Sequence, residues 1–301
     1  MSILRRSFAQ LLSGSDIRGR YVATPKTAVG ARSFAALAHA IGQINNNAPA
    51  LTPFAAHCLG HAFASMIAAS NSDKTTTTIC LGRDPREHGV VLADAFCRGA
   101  ASVEGVKVVY TGIATTPALF ESSLCDGGVM VTASHLPSDR NGLKFFDKQG
   151  GFKKKDIQQM IGMAQEYAQT WFDQGILPPS SGSDGVFCSE VVDWMPLYED
   201  RLKEALRNQV QNSDIDNNLP LNGLYIVLNS GNGSGGFFQK VLQDLGANVD
   251  GSIHTAHDPE FPYGVPNPEN DSMIQETIKA CEEAHADLGI LLDTDADRCG
   301  M

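Results

Sequence analysis

Three carboxylates alternate along a short segment of the chain, at Asp293, Asp295 and Asp297. They follow the apolar run at 288–292 (LGILL), whose length and polar boundaries predict a buried strand. Open α/β sheets bind ligands beyond the carboxyl ends of their strands, which is where these carboxylates lie. Carboxylates this close repel one another unless a cation joins them, and Mg²⁺ prefers oxygen ligands. The segment therefore predicts a metal site, with a solvated acidic loop as the simpler interpretation.

Two other known acidic motifs fit this segment less well. An EF-hand loop needs glycine at its sixth position, where this chain has Arg298, and it follows a helix and not a strand. A haloacid-dehalogenase-type phosphatase would use Asp293 as a nucleophile after a strand. That fold usually carries its motif near the N-terminus, and here the motif lies at the far end of the chain.

Ser134 and His135 form a second candidate site at the end of another predicted strand. A hydroxyl beside an imidazole can act as a nucleophile with its base. The GxSxG turn of the α/β-hydrolases is absent around Ser134, so acyl transfer is poorly supported. A polar turn is the simpler interpretation of this pair.

A glycine-rich turn at 231–236 matches the pattern GxGxxG. It follows a predicted strand and opens a predicted helix, and Asp250 lies close to the distance that a dinucleotide-binding fingerprint requires. Glycines also serve such turns by giving the backbone freedom and allowing close packing. Dinucleotide binding and scaffolding both remain open on these residues alone.

The elements that position these residues alternate between strands and helices. Residues 11–21 are predicted to be a polar loop, and the first series of strands falls at 78–81, 106–110, 129–132 and 143–146. A break in periodicity at 177–185 predicts a linker, and a second series of strands follows at 224–228, 247–249 and 288–292. The pattern predicts two consecutive α/β/α layered domains with mixed, mostly parallel sheets, at 11–180 and 186–301. No predicted element completes the second sheet after the aspartates.

Composition limits the classes of partner. The chain has 301 residues, is 43% hydrophobic and 19% charged, and carries a net charge of −11, which describes a globular protein with no nucleic-acid partner. No segment approaches the roughly 20 apolar residues of a membrane span. The seven cysteines show no CxxC or zinc spacing, so most are expected to be core thiols in a reducing compartment. The expected location is the cytoplasm, with a plastid as the alternative.

Taken together and in order, five segments resemble the α-D-phosphohexomutase family, the phosphoglucomutases and phosphomannomutases. The matching segments are 15–19 (SDIRG), 82–86 (GRDPR), 132–137 (TASHLP), 141–144 (NGLK) and 293–298 (DTDADR). Residues 261–262 (FP) and 266–268 (PNP) also match the family's second domain. The resemblance extends over residues 11–298.

The resemblance implies that Ser134 is the phosphoserine that carries the transferred phosphoryl group. Its phosphate and the carboxylates of Asp293, Asp295 and Asp297 would together hold Mg²⁺. The charges agree with this, because a phosphoserine adds roughly −1.5 to −2 charges beside three carboxylates. The implied substrate is a hexose phosphate, converted between its 1- and 6-phosphates, with a hexose 1,6-bisphosphate as intermediate and activator.

The resemblance also assigns roles to the basic residues. Arg298 and Arg83 would bind substrate or phosphate, since arginine can bridge phosphate oxygens in two places. Arg18 would supply fixed positive charge among the catalytic residues. Lys144 and His135 are the candidates for proton exchange with the sugar hydroxyl.

The chain departs from the family pattern in its extent. The family has four domains, and this sequence ends inside the second, before the family's sugar-specificity and second phosphate-binding loops. We therefore expect this polypeptide alone to retain the phosphoserine and metal loops with little turnover. A catalytically silent sugar-phosphate-binding fragment is the alternative. A dinucleotide-dependent oxidoreductase is less favoured, because the family carries its glycine-rich turn as scaffold.

Overall fold

Strands and helices alternate along the chain, as the hydrophobic pattern predicts. The computed structural model describes residues 8–23, 50–122, 125–174, 185–210 and 216–301, so the predicted linker at 177–185 lies outside the described residues except for Gly185. The strands are β1 (Leu12–Ser13), β2 (Asp16–Tyr21), β3 (Ala50–Leu51), β4 (Thr77–Arg83), β5 (Val106–Ile113), β6 (Gly127–Val131), β7 (Arg140–Asp147), β8 (Gly150–Gly151), β9 (Glu190–Val191), β10 (Ile226–Asn229), β11 (Leu288–Leu292) and β12 (Cys299–Gly300). The helices are α1 (Pro53–Ser70), α2 (Gly89–Ala101), α3 (Thr116–Phe120), α4 (Lys154–Asp173), α5 (Met195–Gln209), α6 (Phe238–Asp244) and α7 (Asp271–Ala284). Within these ranges, none of the helices has the length and apolar character needed to cross a membrane.

The strands form two sheets in the described part of the chain. The first has the order β1-β2-β7-β6-β4-β5-β9, with β3 beside β2 and β8 beside β7. Strands β6, β4, β5 and β9 run parallel, whereas β7 is antiparallel to both of its main neighbours. In the second sheet β10 and β11 are parallel and β12 is antiparallel. The α/β class with mixed, mostly parallel sheets is confirmed.

Helices cover both faces of the first sheet. Side chains alternate along β4: Ile79 and Leu81 join the large core under α1, α2 and α4, while Cys80 points to the other face and packs with Leu119 of α3. The second sheet has a smaller core in which β10 and β11 pack against Leu242 of α6. β9 joins the first sheet although the predicted second unit begins at 186, and the boundary between the units stays a prediction.

The segment 11–21 is not the polar loop that its composition suggested. It forms a hairpin of β1 and β2 that turns at Gly14, which has φ +64°. Leu11 and Ile17 are fully buried in the first core, and β2 pairs antiparallel with β7. The loop prediction was wrong because two buried apolar residues in a short glycine-containing segment do not produce a detectable period.

The second sheet also differs from the prediction. The strand predicted at 247–249 reduces to an isolated bridge between Asn248 and Tyr225, because the chain turns away at Asp250 and Gly251. Conversely, β12 pairs with β11 directly after the aspartates, where no further element was predicted. A strand of two residues is too short to show any alternation of apolar and polar side chains in the sequence.

Two cysteines depart from the expectation of core thiols. Cys80 on β4 and Cys125 ahead of β6 are joined as a disulfide, with their Cα atoms 5.7 Å apart. β4 and β6 are parallel neighbours, which brings together residues 45 positions apart in sequence. Cys58 and Cys97 are buried free thiols, as expected, and burial raises the pKa of both.

Two glycines allow α1 and α2 to cross at backbone contact. A Cβ atom at Gly60 would lie 2.2 Å from the carbonyl oxygen of Phe96, and one at Gly99 would lie 1.9 Å from the carbonyl oxygen of His57. Neither backbone oxygen can move without separating the helices. The contact fixes the position of α2. The N-terminal end of α2 directly follows the turn that contains Arg86.

Arg86 is fully buried and ties the turn after β4 to the loop after β6. Its guanidinium group pairs with Asp84 at 3.1 Å and donates to the carbonyl oxygens of Ser134 (2.6 Å), Leu136 (2.7 Å), Pro137 (2.7 Å) and Arg140 (3.2 Å). A buried charge is tolerated only when it is paired and hydrogen-bonded, and here the planar donor fork satisfies both conditions. The conformation of the Ser134 loop therefore depends on a side chain from the turn after a neighbouring strand, β4.

We predict that Gly99→Ala destabilises the protein by about 2–3 kcal/mol, because the added methyl group overpacks the α1–α2 contact. Gly162→Ala in α4 is the matched control: among the described residues, a Cβ there would meet no atom within 4 Å. The control should stabilise by about 0.5–1 kcal/mol through helix propensity. Urea denaturation of both variants measures the difference, and equal effects would contradict the close contact.

We predict that Arg86→Lys destabilises the protein by about 3 kcal/mol, because lysine keeps the charge but cannot reach all four carbonyl groups, each bond being worth about 1 kcal/mol. Arg83→Lys is the control: Arg83 is only partly buried and makes two hydrogen bonds, so its change should stay within about 1 kcal/mol. Thermal and urea unfolding measure the loss of stability in both variants. A larger loss in Arg83→Lys than in Arg86→Lys would refute the prediction.

Candidate active site

The aspartate segment follows β11 and is held by its own backbone. Asp293 and Asp295 are fully buried, and the three carboxylates offer oxygen atoms within 4.8 Å of one another. Asp293 Oδ1 accepts hydrogen bonds from the backbone N–H groups of Asp297 and Arg298, both at 3.1 Å. Ala296 has φ +56°, which lets the chain turn tightly enough to close this loop.

Ser134 lies in the loop after β6, with its hydroxyl directed at the aspartates. Its Oγ donates to Asp293 Oδ2 at 2.9 Å, and its backbone N–H donates to the Thr132 hydroxyl at 2.9 Å. Ser134 has φ +52°, a left-handed conformation that L-residues other than glycine rarely adopt. Strained backbone of this kind is concentrated at functional sites. The Arg86 bond to the Ser134 carbonyl helps to hold this conformation.

Two cations lie against the carboxylates. Lys144, from β7, contacts Asp295 Oδ2 at 2.6 Å and Asp297 Oδ2 at 2.5 Å. Arg298 Nη2 donates to Asp293 Oδ2 at 2.8 Å, to Ser134 Oγ at 2.9 Å and to His135 Nδ1 at 2.8 Å. Because arginine only donates, His135 Nδ1 is the unprotonated nitrogen of the ring.

Thr116, at the start of α3, is a site residue that the sequence did not reveal. Its backbone N–H donates to the Asp295 carbonyl at 3.0 Å, and its hydroxyl donates to Asp295 Oδ2. Thr115 caps α3 by accepting from the N–H of Ala118. A threonine pair ahead of a proline, directly after a strand, was the available signal, because it places a hydroxyl at the carboxyl edge of the sheet.

Crowding of the carboxylates shifts their protonation. Burial, together with the charges of Asp295 and Asp297, raises the pKa of Asp293 to about 7, although Arg298 opposes the shift. Burial also acts to raise the pKa of Asp295, but its contact with Lys144 outweighs this and lowers it. Within the cluster, Asp293 is therefore the carboxylate whose negative charge is disfavoured, and Asp295 is the one whose charge is stabilised by Lys144.

The pKa values of the two candidate proton-transfer residues, Lys144 and His135, shift in opposite directions. Burial acts to lower the pKa of Lys144, but the charges of Asp295 and Asp297 outweigh it and raise the pKa. Burial and the nearby Arg298 charge lower the pKa of His135. In this arrangement Lys144 holds its proton, and the ring of His135 is neutral near pH 7.

A cavity of about 420 Å³ opens beside these groups. Its polar lining consists of Ser15, Asp16, Arg18, Thr116, Ser134, His135, Lys144, Asp297 and Arg298. Arg18 forms an ion pair with Asp16 at 2.9 Å and faces the same space. The structure places Arg83 elsewhere, where it donates to the Tyr110 hydroxyl and to the Asp84 carbonyl, both at 3.0 Å.

The carboxylate cluster fits a hard divalent cation. Asp295 Oδ1 is buried and has no hydrogen-bond partner among the described residues, which is unusual for a charged oxygen. Three carboxylates and a serine oxygen form the all-oxygen donor set that Mg²⁺ prefers. The residues that could hold the ion are Ser134, Asp293, Asp295 and Asp297.

The glycine-rich turn at 231–236 packs against this loop. A Cβ at Gly233 would lie 2.7 Å from the carbonyl oxygen of Thr294, and one at Gly236 would lie 1.8 Å from that of Thr255. The Ser234 N–H donates to the Thr294 carbonyl at 2.8 Å. The glycines allow backbone to pack on backbone beneath the aspartates, which favours the scaffold interpretation over dinucleotide binding.

Two family models match the chain. Residues 37–169 match the α/β/α domain I of phosphoglucomutase/phosphomannomutase, and residues 198–301 match domain II. A phosphoglucomutase of Neisseria gonorrhoeae is 29% identical over 83% of this chain and 49% of its own length. A phosphoglucosamine mutase of Corynebacterium diphtheriae is 32% identical over 83% of this chain and 52% of its own length. The chain thus spans about half the length of the curated relatives it matches.

Solved structures share the fold. A phosphoglucomutase/phosphomannomutase family protein from Burkholderia thailandensis is 23% identical, with a TM-score of 0.67, over 97% of this chain and 54% of that one. Parafusin, a phosphoglucomutase from Paramecium, is 15% identical, with a TM-score of 0.58, over 96% of this chain and 52% of that one. With both family models matched in order over most of its length, the chain belongs to the phosphoglucomutase/phosphomannomutase family, the α-D-phosphohexomutases.

Proposed function

We propose that this chain carries the phosphoserine and metal-binding parts of a phosphohexomutase, with Ser134 as the residue that receives and donates the phosphoryl group. The observation that carries the proposal is the position of Ser134 Oγ, 2.9 Å from both Asp293 Oδ2 and Arg298 Nη2. A serine in a polar turn without a function has no reason to adopt a left-handed conformation against buried carboxylates of another sheet.

The charges around Ser134 suit a phosphate. A phosphoserine adds roughly −1.5 to −2 charges, and Arg298, Arg18 and Lys144 bring fixed positive charge to the same cavity. Arg298 already contacts the Ser134 oxygen, so a phosphate there would find a planar donor within reach. When bound, Mg²⁺ supplies Lewis-acid stabilisation of the phosphoryl oxygens.

The proposed reaction has two equivalent halves. The bond between phosphorus and Ser134 Oγ breaks as a bond forms to the free hydroxyl of a hexose monophosphate. The hydroxyl proton passes to the neutral ring of His135, and the released Ser134 Oγ takes up a proton, for which Lys144, already protonated in the same cavity, is the donor. After the resulting bisphosphate turns over, the other phosphoryl group returns to Ser134 Oγ. The net result interconverts hexose 1- and 6-phosphates. The chain contributes positioning and fixed charge, which carry most of the catalysis in phosphoryl transfer.

We predict that incubation with glucose 1,6-bisphosphate and Mg²⁺ phosphorylates Ser134. The nucleophile is already oriented, so transfer needs only ligand binding. Mass spectrometry of the intact chain and its peptides measures the modification, with Ser134→Ala as the control that should remain unmodified. A chain that binds the bisphosphate and stays unmodified would instead be a silent sugar-phosphate-binding protein.

The same incubation allows isomerisation to be assayed. We expect the 301-residue polypeptide to interconvert glucose 1- and 6-phosphates slowly even when Ser134 is phosphorylated. Each of the three basic residues that line the cavity, Arg18, Lys144 and Arg298, is already paired with a carboxylate, whereas a bisphosphate presents two anionic ends. Turnover at the rate of a full-length relative, assayed side by side, would contradict this expectation.

We predict that the aspartates bind Mg²⁺ and that Asp295→Asn weakens binding by about 10- to 100-fold or more, since even outer-shell changes have effects of this size. Asp295 is chosen because its Oδ1 is buried without a partner among the described residues. Isothermal titration calorimetry measures the affinity without any substrate. Asp250→Asn, which alters an exposed carboxylate, should leave the Mg²⁺ affinity unchanged. Equal Mg²⁺ affinity in the two variants would refute the metal site at the aspartates.

A further inference from the structure

Phe261 adopts an unfavourable backbone conformation in a buried position. It has φ +47°, in the left-handed region where a bulky L-residue is a clear outlier, and its side chain is only 4% exposed. The turn is closed on both sides: the Phe261 N–H donates to the Asp258 carbonyl at 3.3 Å, and the Gly264 N–H donates to the Phe261 carbonyl at 2.8 Å. Such a conformation persists only where its surroundings require it.

The ring of Phe261 covers the guanidinium group of Arg86. The Arg86 Cζ atom lies 5.3 Å from the ring centroid, within cation–π range. Arg86 uses the edge of its guanidinium group for the carbonyl oxygens of the Ser134 loop and for Asp84, which leaves the flat face for an aromatic partner. The two residues are 175 positions apart in sequence (261 − 86) and belong to different units of the chain.

The same segment also reaches the metal-binding loop. Asn267 Oδ1 accepts from Arg298 Nη1 at 3.4 Å, and Pro266 packs where a side chain at Gly231 would otherwise lie. Residues 258–268 therefore contact Arg86, which holds the Ser134 loop, and Arg298, which contacts Ser134 Oγ directly. Both arginines that fix the serine meet this one segment.

We infer that Phe261 is a positioning residue that holds the Ser134 loop against the aspartate loop by capping Arg86. The inference deepens the proposed function and rests on it for its kinetic consequence, whereas its structural consequence can be tested without any activity. Phe261 touches no reacting atom in this arrangement. It acts through Arg86 on the Ser134 carbonyl and so on the direction of the Ser134 hydroxyl.

Substitutions at Phe261 separate this role from ordinary core packing. Phe261→Leu keeps an apolar side chain of similar bulk and removes the aromatic face, whereas Phe261→Tyr keeps the face. The control is Phe187→Leu, which removes an exposed aromatic partner of another arginine. The Arg98 Cζ atom lies 4.9 Å from the Phe187 ring, and neither residue is part of the site.

Hydrogen–deuterium exchange of the full chain provides the first test. The Leu136 N–H donates to the Ala133 carbonyl, and the Arg140 N–H donates to the Pro137 carbonyl, so the loop carries protected amides. In Phe261→Leu we expect the exchange rate of the amides in residues 134–140 to rise about tenfold, because a cation–π contact shielded from water is lost. The exchange rates in α1 and α4 should not change. In Phe261→Tyr and Phe187→Leu, exchange in residues 134–140 should be the same as in the unsubstituted chain. Unchanged exchange in Phe261→Leu, equal changes in Leu and Tyr, or a rise across the whole chain would each overturn the inference.

Phosphorylation of Ser134 by glucose 1,6-bisphosphate provides the second test. We expect Phe261→Leu to slow the reaction about tenfold at saturating bisphosphate, with the half-saturating concentration nearly unchanged and with rescue in Phe261→Tyr. A loss of affinity alone would overturn the positioning role. If the unsubstituted chain is not phosphorylated but the exchange result holds, the proposed function fails while the structural role of Phe261 stands.

Discussion

The crowding of three carboxylates, two of them fully buried, is the constraint on which the rest of the structure depends. Asp293 and Asp295 are fully buried, and their oxygens lie within 4.8 Å of those of Asp297. Like charges in a medium of low dielectric constant repel strongly, so the loop requires partners that its own sheet does not provide in full. Lys144 and Thr116 come from the first sheet and its helices to meet it. The two units therefore pack around an electrostatic requirement that neither satisfies alone.

Parallel strands explain how these partners arrive together. The chain that leaves the carboxyl ends of β5, β6 and β11 carries Thr116 at the start of α3, Ser134 in a loop and Asp293 in a loop, respectively. β7 runs antiparallel to β6 and so carries Lys144 back past the same edge in the middle of a strand. Left-handed residues occur in the loops that meet here, at Ser134 and Ala296. The sheets supply rigid positions, and among the described residues the non-glycine residues with positive φ all lie outside the strands and helices.

The sequence predicted the parts of this arrangement that depend on local pattern. The apolar runs at 288–292, in β4 and in β6 are visible because burial imposes consecutive apolar residues on a strand. The hairpin of β1 and β2 and the two-residue β12 were missed, since such short elements owe their pairing to tertiary contacts. Cys80 and Cys125 were missed as a pair for the same reason, being joined only through the order of strands in the sheet.

The arginines show why the site itself was harder to predict than the fold. Arg83 and Arg86 belong to one motif, and nothing in their composition separates them. Arg83 ends β4 and turns to Tyr110, whereas Arg86 lies in the turn that follows and enters the Ser134 loop. Thr116 meets Asp295 across 179 residues of sequence, a contact that no local pattern encodes. Which member of a motif reaches the site is decided by the direction of the backbone at one turn.

In the proposed function, Arg298 would couple the phosphorylation of Ser134 to the binding of Mg²⁺ by the aspartates. One nitrogen, Nη2, now serves Asp293, Ser134 and His135 together. A phosphate on Ser134 would compete with Asp293 for this donor, because a dianion attracts a guanidinium group more strongly than a single carboxylate does. Asp293, already crowded enough to favour protonation near neutral pH, would lose its main cationic partner at the same moment. A divalent cation held by the aspartates would supply the missing positive charge, so phosphorylation of Ser134 and binding of Mg²⁺ should each favour the other to the same extent, as thermodynamic linkage requires.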